Sequence, residues 1–282
     1  MVIFKKAADI EAYLLSIRQK AKPVGFIPTM GALHSGHISL LQQSREKGDF
    51  TVASIFVNPT QFNDKADFDK YPVSIDEDKQ MLLDAGCDVL FLPSVEEVYP
   101  PGDDTPVYDF GHIDTILEGA HRPGHFRGVG QVVARLLQIV QPDRLYIGQK
   151  DYQQCMVIKN LARQLPALHN LDIQICPTMR EQDGLAMSSR NRRLTEPQRA
   201  IAMLLYQCLV SIQAKAGTQP FAVVQKECLD ILKEKGFEPD YVALADAGDL
   251  TLLNDYDMNR RMVALIAAKI GDVRLIDNMV VN

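Results

Sequence analysis

An α/β fold, with a doubly wound parallel sheet followed by a smaller α+β domain, is what this 282-residue sequence predicts. Three observations carry that expectation. Short β-branched apolar runs alternate with helical patterns over the first two-thirds of the chain. The polar motifs that could do chemistry follow those runs directly, and the rhythm changes after Cys176.

Asp9 is expected to cap a first helix whose apolar face is Ile10, Tyr13, Leu14 and Ile17. Residues 24–27 read as a strand, followed by a helix over 36–47 that stops at Gly48. Residues 51–57 are apolar nearly throughout, as in a strand covered on both faces. A helix over 76–85 and a strand over 89–92 come next. Residues 93–119, rich in Pro, Gly and Asp, read as a long surface excursion, either a lid or a plain linker. Helix 129–140, strand 145–147, helix 152–165 and strand 172–176 complete a Rossmann-like sheet. Beyond it, Thr195-Glu196-Pro197 opens one long helix reaching Ala216, with Pro in the first turn, and a second helix spans 221–235. Strands are expected near 240–245, 262–270 and 273–280, the last two joined in a hairpin at Gly271-Asp272. The expected domains are 1–178 and 179–282.

Composition narrows the function classes. Hydrophobic residues make up 46% and charged residues 23%, which fits a globular chain and not a disordered one. A net charge of −6 argues against nucleic acid as a partner. The local cluster Arg190, Arg192 and Arg193 then suits either a small polyanion or a solvated basic loop. Cys87, Cys155, Cys176, Cys208 and Cys228 are scattered and never spaced as CxxC, so buried thiols in a reducing compartment are expected. Neither a signal peptide nor a membrane-spanning run is visible, and the expected location is the cytoplasm.

The motif His34-Ser35-Gly36-His37, entered through Pro28-Thr29-Met30-Gly31, puts two imidazoles where a strand turns into a helix. Helix N-termini attract anions through their unpaired donors and dipole, so a nucleotide phosphate site is one reading. Spacing alone also admits half of a zinc site or two ordinary loop histidines.

Five blocks together are more specific. They are residues 28–37, Phe56-Val57-Asn58-Pro59-Thr60-Gln61-Phe62, Arg122-Pro123-Gly124-His125-Phe126-Arg127-Gly128-Val129, Gly148-Gln149-Lys150-Asp151-Tyr152-Gln153-Gln154, and Asp183-Gly184-Leu185-Ala186-Met187-Ser188-Ser189-Arg190-Asn191. In this order they resemble the pantothenate synthetase (pantoate–beta-alanine ligase) family. That family belongs to the HxGH nucleotidyl-transfer group, whose fold is similar to the nucleotide domain of class I aminoacyl-tRNA synthetases.

The resemblance implies that ATP adenylates the pantoate carboxylate, releasing diphosphate, and that the beta-alanine amine then displaces AMP. It implies catalytic roles for His34, His37, Lys150, Ser188, Ser189 and Arg190, with His37 the proton donor. ATP contacts would come from these residues together with Met30, Gly31, Gly36, Gly148, Gln149, Asp151, Met179 and Met187. Pantoate and beta-alanine would meet Gln61, Gln154, Met30, Asn58, Tyr71 and Arg122, while His125 reads as a structural loop residue. Mg²⁺ held by the ATP phosphates and a homodimer are also implied. The acidic run Asp64, Asp67 and Asp69 assists the metal or is a solvated loop. Ser35 and Gln149 replace glutamates common in the family. A nucleotidyltransferase acting on a phosphorylated acceptor is the nearest rival, because HxGH alone permits it. The glutamine blocks favour a carboxylate substrate instead.

Overall fold

The computed structural model describes residues 1–62, 68–69, 71–102 and 106–282. Asp64 and Asp67 of the acidic run lie outside the described residues. By contacts the chain falls into two compact units. One comprises Met1–Gly148 with Val157–Cys176, the other Gln149–Met156 with Pro177–Asn282. Residues 149–156 thus group with the C-terminal part of the chain, a different partition from one cut at 178.

The first unit is built on a six-stranded, all-parallel sheet. Its strands are β1 (Val2–Phe4), β2 (Val24–Thr29), β3 (Phe50–Ile55), β4 (Val89–Phe91), β5 (Arg144–Gly148) and β6 (Asp172–Cys176), in the order β1-β4-β3-β2-β5-β6. Every residue of β3 is buried, as the unbroken apolar run requires of a strand covered on both sides. Strand order reverses between β2 and β5, and the carboxyl ends of strands at such a switch point are where α/β sheets hold ligands. The chain leaving β2 there is Met30–His34, leading into α2 (Ser35–Glu46).

Helix α1 (Ala7–Arg18) buries Ile10, Leu14 and Ile17 as its spacing predicts. Its cap differs from expectation. Lys6 is the N-cap residue, and the Ala7 N–H donates to Glu97 Oε2 at 2.8 Å. A carboxylate remote in sequence thus satisfies the helix end, and Asp9 sits in the first turn, where it complements the dipole. Helix α3 (Ile75–Asp84) precedes β4. The segment 93–119 is more than a surface excursion. It carries the short helix α4 (Val95–Val98), a 3₁₀ turn at Gly111–Asp114 and the start of α5 (Glu118–His121), and it buries Val98, Phe110, Ile113 and Leu117. Apolar side chains spaced among the Pro and Gly residues anchor it. Helix α6 (His125–Val140) starts earlier than expected, and α7 (Tyr152–Gln164) follows β5.

The second unit packs helices on a four-stranded antiparallel sheet. Strands β7 (Glu238–Asp246), β8 (Leu252–Leu253), β9 (Met262–Ile270) and β10 (Val273–Val280) run in the order β10-β9-β7-β8. The β9–β10 hairpin turns at Gly271-Asp272 as expected. The single long helix does not form; α8 (Glu196–Ile201) and α9 (Leu204–Lys215) are separate. At the break the Ala202 N–H bonds Arg199 O, three residues back, which tightens the turn although the backbone stays right-handed. Thr195 and Gln198 form the capping box that starts α8. With α10 (Phe221–Glu234), these helices bury Leu205, Leu209, Ile212, Val224 and Leu232 in a core shared with Leu244 and Ile266.

Candidate active site

The β2–α2 turn begins with two consecutive left-handed residues, Gly31 (φ 81°) and Ala32 (φ 49°). A non-glycine residue there costs about 1–3 kcal/mol and persists only when its surroundings enforce it. Asp78 on α3 does so. Its carboxylate, 1% exposed, accepts the Ala32 N–H at 2.9 Å on one oxygen and the Leu33 N–H at 2.8 Å on the other. Ser74 Oγ donates to the same carboxylate at 3.1 Å. A Cβ on Gly31 would lie 3.0 Å from Asp78 Oδ2, so the close approach needs glycine for space as well as for φ.

Both motif histidines are built into the start of α2. His34 is the N-cap residue and its Nδ1 accepts the Gly36 N–H at 3.1 Å, while His37 Nδ1 accepts the His34 N–H at 3.3 Å. The two rings lie 4.1 Å apart. An Nδ1 that accepts a backbone N–H carries no proton, so each neutral ring is the Nε2–H tautomer. The donor each imidazole can offer a ligand is therefore Nε2–H, at the positive end of a helix.

Beside this turn, Gln61 Nε2 donates to Met30 Sδ at 2.8 Å and its Oε1 accepts from Asn58 Nδ2 at 3.3 Å. Asn58 is fully buried and engaged on both ends of its amide. Its Oδ1 accepts from Thr60 N–H, Thr60 Oγ and Tyr99 Oη, and its Nδ2 also donates to Gly128 O. It holds the Pro59–Gln61 turn that carries Gln61. Gly128 lets α6 approach that turn, since a Cβ there would lie 2.4 Å from Thr60 O. His125 adds a second hold, its Nδ1 lying 2.9 Å from Gln61 O and its Nε2 3.0 Å from the Arg122 guanidinium. A carbonyl only accepts and a guanidinium only donates, so the proton of this ring is on Nδ1. Tyr71 is buried with its ring edge-on to Phe62 at 5.7 Å.

The second unit carries the remaining candidates. Lys150 lies in the 3₁₀ turn Gln149–Asp151, with its ammonium 3.4 Å from Asp151 Oδ1, and Gln154 follows on α7. Ser188 caps the turn Ser189–Arg193, its Oγ accepting the Arg190 N–H at 3.3 Å. Met179 and Met187 are joined by the Met187 N–H to Met179 O bond at 3.0 Å, which closes a hairpin just before Ser188. Arg199 clamps Asp183 at the tip of that hairpin at 2.5 Å, and this hydrogen bond holds the Asp183 carboxyl below the usual carboxylate range. Gly148, at the end of β5, falls in the first unit with the histidines.

Sequence reasoning missed several supports: Asp78, Tyr99, Arg180, Asp277 and Asn278. The role of His125 at the Gln61 carbonyl was missed too. A pattern signal exists for two of them. Asp277-Asn278 interrupts the apolar pattern of β10 with two adjacent polar residues, and both are buried. Among the described residues no group of three His, Cys, Asp or Glu side chains is arranged to hold a metal, and no helix is long and apolar enough to cross a membrane.

The parallel sheet, its switch point and the HxGH turn define a Rossmann-like nucleotide-binding class of α/β protein. Residues 2–280 match the family described as pantoate-beta-alanine ligase, and the chain belongs to that family. It is 42% identical over 280 residues to a pantothenate synthetase of Bacteroides thetaiotaomicron, covering 99% of this chain and 98% of that one. It is 44% identical over 292 residues to one of Azotobacter vinelandii, covering 100% and 99%. The crystal structure of pantothenate synthetase from Thermus thermophilus superposes with a TM-score of 0.92 at 40% identity, covering 100% of this chain and 99% of that one. A pantoate-beta-alanine ligase from Francisella tularensis, complexed with beta-gamma ATP and beta-alanine, gives a TM-score of 0.82 at 38% identity, covering 99% and 97%.

Proposed function

We propose that the chain joins pantoate to beta-alanine at the expense of ATP, giving pantothenate, AMP and diphosphate through a pantoyl adenylate. The observation that carries this reading is the pair of Nε2–H tautomers imposed on His34 and His37 at the N-terminus of α2, in a chain of this family. A carboxylate resists attack by an amine because its carbonyl is electron-rich and oxide is a poor leaving group. Joining it to AMP as a mixed anhydride removes both obstacles. The first step needs the α-phosphorus held in line with the pantoate oxygen while charge builds on departing diphosphate. Imidazole N–H donors, the Lys150 ammonium, the Ser188 and Ser189 hydroxyls and the Arg190 guanidinium suit that charge.

ATP is assigned to Met30, Gly31, His34, Gly36, His37, Gly148, Gln149, Lys150, Asp151, Met179, Met187 and Ser188–Arg190. Pantoate and beta-alanine are assigned to Met30, Asn58, Gln61, Gln154, Tyr71 and Arg122, Asn58 also holding Gln61 in place. Residues 1–178 would bind nucleotide and pantoate and residues 179–282 would serve as the lid. With no three-ligand cluster among the described residues, Mg²⁺ would enter with ATP and lean on phosphate oxygens. Five buried cysteines, none in a disulfide, suit a reducing cytoplasm, and a homodimer follows from the family likeness. In the decisive test, purified protein is given ATP, Mg²⁺ and pantoate without beta-alanine. Pantoate should switch on ATP–diphosphate exchange, and mass spectrometry should find the acyl adenylate. Absence of exchange across a range of Mg²⁺ removes the adenylate step.

A further inference from the structure

Within the second unit, one strand holds two segments that are far apart in sequence. Asn278 on β10, 2% exposed, donates both N–H groups of its amide to consecutive carbonyls, Gln149 O at 2.9 Å and Lys150 O at 2.8 Å. Its Oδ1 accepts from Gln149 Nε2 at 3.3 Å, so the amide is used at every polar atom. Its neighbour Asp277, 4% exposed, meets Arg180 with both oxygens, at 2.6 and 3.0 Å. The same guanidinium donates to Gly184 O at 3.0 Å and to Asn278 O at 3.3 Å, and it lies 4.4 Å over the Tyr206 ring. Arg180 pairs across the hairpin with Ala186, two residues before Ser188.

Stability alone does not account for this cluster. Burial pushes the Asp277 carboxyl up, against the pull of Arg180, and buried ion pairs are often replaceable by apolar residues at no loss. What the cluster achieves is placement. Consecutive Cα atoms are about 3.8 Å apart, so two anchors on adjacent residues fix the Lys150 turn and the hairpin leading to Ser188 in one frame. A triphosphate gripped by both would need that registration.

We propose that Asp277 and Asn278 are positioning residues, a clasp on β10 that sets Lys150 and the Ser188–Arg190 turn at a fixed mutual spacing for the phosphates of ATP. The inference rests on the function proposed above. Asn278 acts through the backbone of Lys150, and Asp277 acts through Arg180.

The test is a thermodynamic cycle on ATP binding, read by calorimetry with Mg²⁺, using wild type, Asn278→Ala, Lys150→Ala and the double variant. Pantoate-dependent exchange by the wild type is measured first, and its absence retires the functional reading, not the clasp. Asn278→Ala should weaken ATP about tenfold, the scale of one misplaced charged contact. It should change the KM for pantoate less than twofold, and add nothing once Lys150 is already Ala. Hydrogen exchange at residues 149–151 should rise while that of 179–187 stays unchanged. Asn278→Ser, which keeps one donor, replaces the alanine variant if that does not fold, and its loss should be intermediate. Fully additive effects, or equal losses for ATP and pantoate, overturn the proposal.

Discussion

At the scale of single residues, His34 and His37 each have two jobs that can be separated. Their Nδ1 atoms start α2, and their Nε2–H groups are the proposed phosphate donors. Replacing His34 by Ala removes both and should cost about 1 kcal/mol in cap energy. Asn is among the best N-cap residues and offers an acceptor oxygen in place of Nδ1. His34→Asn should therefore unfold near the wild-type urea midpoint while exchange falls, and an unchanged exchange rate would confine His34 to structure. His37→Ala should lower turnover by about 10²–10⁴, the range for losing a positioned donor. Less than a threefold change assigns it to the cap. Asp183 gives a pH test. Its lowered carboxyl means the Arg199 pair stabilises the fold above the unfolded carboxylate range near pH 4, and that stability drains away as pH falls through the lowered value. Melting curves of wild type and Asp183→Asn should accordingly converge as the pH falls through that lowered value. The candidate residues stand out in the sequence because the proposed phosphate and carboxylate chemistry calls for His, Lys, Arg and amide side chains in short runs. Their supports were not, because Asp78 looks like any acid in a helix's first turn.

Among the elements, the β2–α2 turn shows most clearly what pattern reading reaches. The strand and helix followed from periodicity, and their ends fell within a few residues of expectation. The left-handed pair Gly31-Ala32 did not, because its enforcer lies on α3, far along the chain. Asp78→Asn keeps the shape but turns an N–H toward a backbone N–H. It should cost about 1–3 kcal/mol, the penalty for an unsatisfied buried polar group. Chemical denaturation measures this, and a loss below about 0.5 kcal/mol would show that the turn holds without the carboxylate. The misread cap of α1 and the divided α8–α9 have similar causes. Glu97 and the tightened bond at Ala202 are tertiary and local-geometry choices that a 3.6-residue period does not encode.

For the whole molecule, apolar patterning foretold the parallel sheet and the C-terminal hairpin, while the grouping of Gln149–Met156 with Pro177–Asn282 depends on pairings to β10 that no local pattern reveals. All five cysteines are buried and none forms a disulfide, and burial pushes the Cys87 and Cys176 thiols up to about 11. A disulfide reagent should leave the native protein essentially untouched at neutral pH and modify all five after unfolding. Fast labelling of the native state would contradict this burial. The chain passes from one unit to the other after Gly148, Met156 and Cys176. No single scission can thus release either half intact. A recombinant fragment starting at residue 177 would orphan the two amide donors of Asn278, and a split-gene version of the protein would have to carry residues 149–156 with the C-terminal piece as a grafted peptide.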